Sequence, residues 1–343
     1  MTEPSGSAGA STAIVIPCYR VARQIAGVIA AIPPRYGTIV CVDDASPDDT
    51  ATVIERLGDP RVTLVRHVVN RGVGGAMKTG YAEALRRGAA VCVKMDGDGQ
   101  MSAAHVDDLV APILTRGADY AKGNRFVDLR ALARMPRVRL VGNALLSFAS
   151  KLACGYWNML DVSNGFTAVR SEMLRRMDFD RVSDRYFFET SVLIELNILR
   201  ATVADVEMPA SYGDEESSLR IGQVAATFPA LLVRGLLRRI YWRYLIEDFG
   251  VASVCLLLGI PVILFGATFG GVRWVESIRT GTPATPGTVF VAALPIILGF
   301  QLLLAAVLLD VLSSPTLKCR RSAARDASAR EAAAGDAAAR APA

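Results

Sequence analysis

The sequence predicts an α/β protein: a mainly parallel sheet flanked by helices, followed by two helices able to cross a membrane. Short apolar runs alternate with helical patterns along the first part of the chain, and two of those runs end in clustered aspartates. Near the other end lie two long runs almost free of polar side chains. Of 343 residues, 52% are hydrophobic, enough for one sizeable α/β domain with apolar residues left over.

The first strand is Thr12-Ala13-Ile14-Val15-Ile16-Pro17, an apolar run stopped by proline. The second, Thr38-Ile39-Val40-Cys41-Val42, ends in Asp43-Asp44-Ala45-Ser46-Pro47-Asp48-Asp49-Thr50. A third, Ala89 to Met95, has the length and β-branched content of a buried strand and runs directly into Asp96-Gly97-Asp98-Gly99-Gln100. Helical spacing marks Ala22 to Ala31, Thr50 to Leu57 and Gly75 to Arg87, the last with Ala76, Tyr81, Ala84 and Leu85 on one face.

Strands alternating with helices imply a parallel sheet, and the carboxyl ends of its strands open on a single crevice. Asp43, Asp44, Asp96 and Asp98 are therefore expected to converge there, with a cation or a ligand's donors relieving their repulsion. Two carboxylates two residues apart suit Mg²⁺ or Mn²⁺, which keeps several waters and bridges to substrate phosphates. The same pentapeptide also fits a glycine-rich turn whose acids cap a helix beginning at Ser102.

Five segments in order, Ile14-Val15-Ile16-Pro17-Cys18-Tyr19, Val42 to Asp48, Asn70-Arg71-Gly72, Asp96 to Gln100 and Gly123-Asn124-Arg125, resemble the motifs of family 2 glycosyltransferases. Asn164 to Ala168, Arg185 to Thr190 and Tyr212 to Leu219 extend the resemblance toward the polyprenyl-phosphate sugar synthases, the dolichol-phosphate mannose synthase group. The resemblance implies a GT-A fold, a Rossmann-like sheet, over residues 11–218. It also implies a nucleotide-sugar donor, with Pro17, Tyr19, Asp43 and Asp44 at the base and ribose. Asp96, Asp98 and Gln100 then hold a metal and the diphosphate, with Arg125 beside the phosphates. One departure bears on the donor: many relatives have an acid directly after the tyrosine, whereas Arg20 and Val21 stand here, which leaves UDP and GDP both open.

A polyprenyl-phosphate acceptor is anionic at neutral pH, since a monophosphate's second pKa is about 6, so it needs no general base. It does need cations. Arg137 and Arg139 precede a helical pattern from Leu140 to Ala153 with Asn143 one turn beyond, a candidate phosphate grip or an ordinary basic surface. Arg220 joins them on the family's analogy. Glu189, after two aromatics, is a candidate to orient a sugar hydroxyl, or to act as a base if the acceptor is a hydroxyl. It equally fits a first-turn acid favouring its helix dipole. Asp98, Arg125 and Glu189 make up the expected catalytic set.

Residues 249–271 and 289–312 are each long enough to span a hydrocarbon core, which takes about 20 apolar residues, with 272–288 as an external loop. Before them, 219–248 reads as an amphipathic interfacial segment: Phe228, Leu231, Leu232, Leu236, Ile240 and Trp242 supply apolar mass, and Arg234, Arg238 and Arg239 reach headgroups. The alternative is a helix packed on the soluble domain. Basic residues flank the spans at Arg234, Arg238, Arg239 and Arg243 and again at Lys318, Arg320 and Arg321, while the loop has only Arg273 and Arg279. The positive-inside rule then puts the catalytic domain and both termini in the cytosol, as a multi-pass protein of the plasma membrane. Residues 1–10 and the tail 313–343 are expected to be disordered.

The six cysteines lack metal-ligand spacing and read as reduced core thiols. His67 and His105 are too isolated for a metal site. Asn70 to Gly75 lacks the Lys-Ser/Thr ending of a P-loop and reads as a loop closing over the nucleotide, with Lys78 on the next helix. A net charge of +5, spread over the membrane-proximal part and the tail, fits anionic lipid and not nucleic acid. Two alternatives to sugar transfer onto a polyprenyl phosphate remain: transfer to a glycan hydroxyl, and a non-catalytic membrane scaffold.

Overall fold

The computed structural model describes residues 11–124, 137–159, 161–162, 164–208 and 221–319. Eight strands form one sheet: β1 (Thr12–Cys18), β2 (Thr38–Asp43), β3 (Val62–Arg66), β4 (Val91–Lys94), β5 (Tyr120–Asn124), β6 (Thr167–Arg170), β7 (Val203–Glu207) and β8 (Thr316–Cys319). Their order is β3-β2-β1-β4-β6-β5-β7-β8, and β6 alone runs against its neighbours. This is the mainly parallel α/β sheet that the alternating pattern predicts. The carboxyl ends of β1, β2 and β4 lie side by side, because Cys18 is in register with Asp43 and Val15 with Lys94.

Side chains alternate across the strands and are buried on both faces. Val15, Val40, Val42 and Cys92 pack on one side; Ile14, Ile16, Ile39 and Val93 pack on the other. Such double burial belongs to a parallel sheet covered by helices, and each of these residues contributes about 1.5–3 kcal/mol relative to exposure. Helices α1 (Ile25–Ala31), α2 (Thr50–Arg56) and α4 (Val106–Thr115) cover the second face. The first is covered by α3 (Gly72–Arg86), α5 (Arg137–Cys154), α6 (Ser171–Arg176), α7 (Phe188–Ile198) and α8 (Ile221–Ile240).

A π-helical stretch, Tyr241–Glu247, leads from α8 into an antiparallel pair, α9 (Val251–Thr280) and α10 (Pro286–Leu312). Both are long and apolar enough to cross a membrane. Leu257, Leu264, Phe265, Phe290, Phe300 and Leu304 point outward, an apolar surface of the kind that faces lipid or a partner. The helices touch through glycine: a Cβ on Gly299 would lie 2.8 Å from the carbonyl of Gly259, so nothing larger lets the backbones meet.

The hairpin differs from expectation in two places. The first helix runs nine residues past 271, because nothing interrupts it before Gly281, whose φ of 65° ends it, and Arg273 and Glu276 pair along its last turns at 2.7 Å. The tail expected to be disordered begins with β8, which lies parallel to β7 with Thr316 opposite Val203. That four-residue run fills the open edge of β7, a vacancy no local pattern announces. Residues 1–10 and 320–343 lie outside the described residues.

Candidate active site

The acidic pentapeptide forms the turn directly after β4. Gly97 is buried there, where a Cβ would meet Val21, Ile16 and Ile25 at 3.3–3.5 Å, and Gly99 takes a φ of 81°. The positive φ at Gly99 is one that glycine adopts without strain. The turn straddles the top of the sheet. Asp96 faces the α7 side. Asp98 accepts the Gln100 N–H at 3.0 Å and lines a cavity of about 360 Å³ with Gln24, Gly27, Val28 and Met101 beside α1.

Asp96 is tied to a residue the sequence reading passed over. Lys94, the last residue of β4, is buried, and its Nζ lies 2.7 Å from Asp96 Oδ1 and 3.4 Å from Glu189 Oε1. Burial alone would push the Lys94 pKa down, but the two carboxylates outweigh it and hold the ammonium above its ordinary range. Glu189 stands in the first turn of α7 and meets the acidic turn through Lys94. Gly165 completes the arrangement: a Cβ there would come 2.5 Å from Lys94 Nζ and 3.0 Å from Asp96 Oδ2. The readable signal was a lone lysine inside an apolar strand, which must have buried partners.

Asn164 holds this corner from behind. Its Nδ2 donates to the Gly123 carbonyl at 2.7 Å, its Oδ1 accepts from Phe166 N at 3.0 Å, and the buried Lys122 donates to its carbonyl. Lys94 and Lys122 both lie in register with Thr167 of β6, so the antiparallel strand brings the Asn164-Gly165 loop against the turn.

At the end of β2 the two acids have different surroundings. Asp43 is buried, and its Oδ1 accepts from Ser46 N at 3.4 Å. Asp44 accepts backbone N–H groups of Arg71 and Gly72 at 2.8 and 2.7 Å, and its Oδ1 lies 2.7 Å from His67 Nδ1. It therefore caps α3, with His67, itself 2.9 Å from Thr79 Oγ1, as its brace. The segment expected to close over a nucleotide is instead the first turn of α3: the N–H groups of Gly74 and Gly75 are taken by the Asp184 carbonyl at 2.8 and 3.2 Å, and Lys78 pairs with Asp184 at 2.6 Å. Its glycines permit close packing, since a Cβ on Gly74 would lie 2.8 Å from Phe188.

Nearby, Pro17 ends the apolar part of β1 in register with Val42, and Tyr19 is 45% exposed with the Arg20 guanidinium 5.4 Å from its ring centre. The four acids do not gather on one ion: among the described residues no three of His, Cys, Asp and Glu are grouped as a metal site. Asp96 and Asp98 leave the turn toward different sides, Asp96 against Lys94 and Asp98 beside α1. Arg125 and Arg220 lie outside the described residues, as do the side chains of Arg137, Arg139 and Asn143 in the first turns of α5.

Comparison with known proteins places these features in a family. The model of the family described as Glycosyl transferase family 2 matches residues 13–178. A protein of Methanocaldococcus jannaschii, itself uncharacterised, is 34% identical over 182 residues, 53% of this chain and 73% of its own. The chain belongs to glycosyltransferase family 2. The glycosyltransferase is also 27% identical over 214 residues to a Methanococcus voltae protein named UDP-N-acetylglucosamine–dolichyl-phosphate N-acetylglucosaminyltransferase, covering 58% of this chain and 85% of that one. To the polyprenol monophosphomannose synthase of Mycolicibacterium smegmatis it is 28% identical over 212 residues, 60% and 78% of the two chains. In sequence and fold, this glycosyltransferase keeps the acidic turn at the carboxyl ends of its sheet.

Proposed function

We propose that this glycosyltransferase moves a sugar from a UDP- or GDP-linked donor to a polyprenyl phosphate at the cytosolic face of the membrane, with inversion at the anomeric carbon. The observation that carries the reading is the placement of the acidic turn. Asp96, Lys94 and Glu189 look toward the face of the sheet that α5, α7 and α8 cover, and that face also carries the membrane hairpin. Leu145 and Phe148 on α5, Val233 and Leu237 on α8 and Tyr241 in the π-helical stretch are exposed there, an apolar rim suited to the bilayer interface. Both ends of the hairpin return to the catalytic domain, one through Tyr241–Glu247 and the other through β8. Two of the relatives are named for dolichyl or polyprenol phosphate acceptors, which agrees with this placement.

In the proposed reaction an acceptor phosphate oxygen attacks the anomeric carbon opposite the leaving group. The C–O bond to the donor diphosphate breaks, and a nucleoside diphosphate leaves with the bonding electrons. Asp96, Asp98 and Gln100 are the residues that would hold a Mg²⁺ or Mn²⁺, which would supply charge neutralisation for that diphosphate. Tyr19, Pro17 and Asp43 border the space for the base and ribose, and Asp44 shapes it by fixing the start of α3. Arg125, Arg137, Arg139, Asn143 and Arg220 are the proposed contacts for the two phosphate groups.

In this reading Glu189, 3.4 Å from the Lys94 ammonium, orients a donor-sugar hydroxyl and holds Lys94. Purified protein given radiolabelled nucleotide-sugars, Mn²⁺, undecaprenyl phosphate and an oligosaccharide acceptor tests the proposal. Label extractable with the lipid supports it; label found only on the oligosaccharide rejects it.

A further inference from the structure

An aspartate in the last turn of an otherwise apolar span is costly unless it has a task. Asp310 sits there, in α10, and is buried. It takes a bidentate pair from Arg239 of α8, Nη1 to Oδ1 at 2.7 Å and Nη2 to Oδ2 at 3.0 Å. Trp157 donates to the same carboxylate at 2.9 Å, and the Tyr244 hydroxyl donates as well. The rest of the Arg239 fork is used on the catalytic domain, with Nε donating to the Ala153 carbonyl and Nη2 to the Leu152 carbonyl, both at 3.0 Å. Gly155, with a φ of 74°, makes room: a Cβ there would lie 2.8 Å from the guanidinium carbon. Arg238 and Arg239, expected to reach headgroups, are thus internal, Arg238 pairing with Glu195 of α7. Arg243 donates to the Asn197 carbonyl at 2.9 Å.

Among the described residues α5, α7 and α8 all reach this joint: Leu152 and Ala153 of α5 accept from Arg239 of α8, and Asn197 Oδ1 of α7 lies 3.5 Å from its Nη1. Helix α7 is buried along its length, with Glu189 in its first turn and Glu195 and Asn197 in its last. The eight-residue step from Glu189 to Asn197 makes a rod about 12 Å long. We propose that Arg239 and Asp310, with Tyr244 and Trp157, form a rigid joint that seats the catalytic domain on the membrane hairpin. They are positioning residues, which through α7 and α5 set the site's height for an acceptor held in the bilayer. This rests on the polyprenyl-phosphate reading above. A bidentate, fully hydrogen-bonded pair fixes distance and angle together, which an apolar contact of equal size does not.

The test compares Asp310→Asn and the double variant Arg239→Met/Asp310→Leu with the wild type, all as full-length protein in lipid nanodiscs. The double variant removes both charges of the pair together, so it keeps the joint testable where the single variant is poorly folded. Transfer to undecaprenyl phosphate in the disc is expected to fall at least tenfold, while transfer to a short-chain, water-soluble prenyl phosphate stays within twofold. Bio-orthogonal spin labels at Thr115 and Thr282 are expected to give a narrow distance distribution in the wild type and a broad one in the variants. Equal losses with both acceptors, no loss with either, or an unchanged distance distribution overturns the joint. A wild type that glycosylates neither acceptor rejects the polyprenyl-phosphate reading, and the spin-label arm still decides the joint.

Discussion

Replacing Lys94 by methionine removes the charge that the active-site turn is built around and keeps nearly the same volume. At 2.7 Å from Asp96 Oδ1, an effective dielectric of about 20 gives about 6 kcal/mol of Coulomb attraction, against which the ammonium's burial costs several kcal/mol. Removing one partner of a buried pair costs about 3–5 kcal/mol when the other stays dry. Here Asp96 is 30% exposed and Glu189 17% exposed, so both rehydrate in part, and about 2–3 kcal/mol of lost stability is expected. For a catalytic domain of this size that is a fall in Tm of about 4–12 °C. Thermal unfolding in detergent, followed by tryptophan fluorescence, measures it. A Tm within 1 °C of the wild type would refute the view that Lys94 is the buried link between Asp96 and Glu189.

The same lysine predicts a pH dependence. Its pKa is raised in the folded protein, so its stabilisation is complete below the unfolded value of about 10.4 and is lost as pH rises through the folded value. The stability gap between wild type and Lys94→Met should therefore be flat from about pH 6 to 9 and close only in stronger alkali; urea titrations at several pH values check this, and a gap closing near neutrality contradicts it. Gly165→Ala puts a methyl group 2.5 Å from Lys94 Nζ, and overpacking of about 1–3 kcal/mol with at least tenfold lower turnover is expected; full activity would show that the corner yields. Asp98→Ala should abolish metal-dependent transfer while membrane extraction behaviour stays unchanged, and retained turnover would remove Asp98 from the site.

Much of the catalytic domain was legible because its signals are local. An apolar run stopped by Asp96-Gly97-Asp98-Gly99 announces a strand and its exit, and parallel topology then brings the ends of β1, β2 and β4 together. What the reading missed depends on pairing at a distance. Asp44 and Asp96 look alike in sequence, yet one caps α3 and the other meets Lys94, because side-chain direction at a strand end is set by the neighbouring loop. Arg239 and Asp310 are 71 residues apart, and an arginine on an amphipathic helix reads as a headgroup contact until its partner is known. β8 is too short to carry a pattern of its own; only the vacant edge of β7 explains it.

Sugar transfer onto a lipid phosphate is defined by the bond that breaks and the group the sugar joins. Phosphorus NMR and mass spectrometry of the lipid product, with the released nucleotide quantified beside it, address both at once. One phosphodiester-linked sugar per lipid and one released nucleoside diphosphate are expected. Release of a nucleoside monophosphate, or a product whose lipid phosphate remains an unmodified monoester, would contradict that transfer.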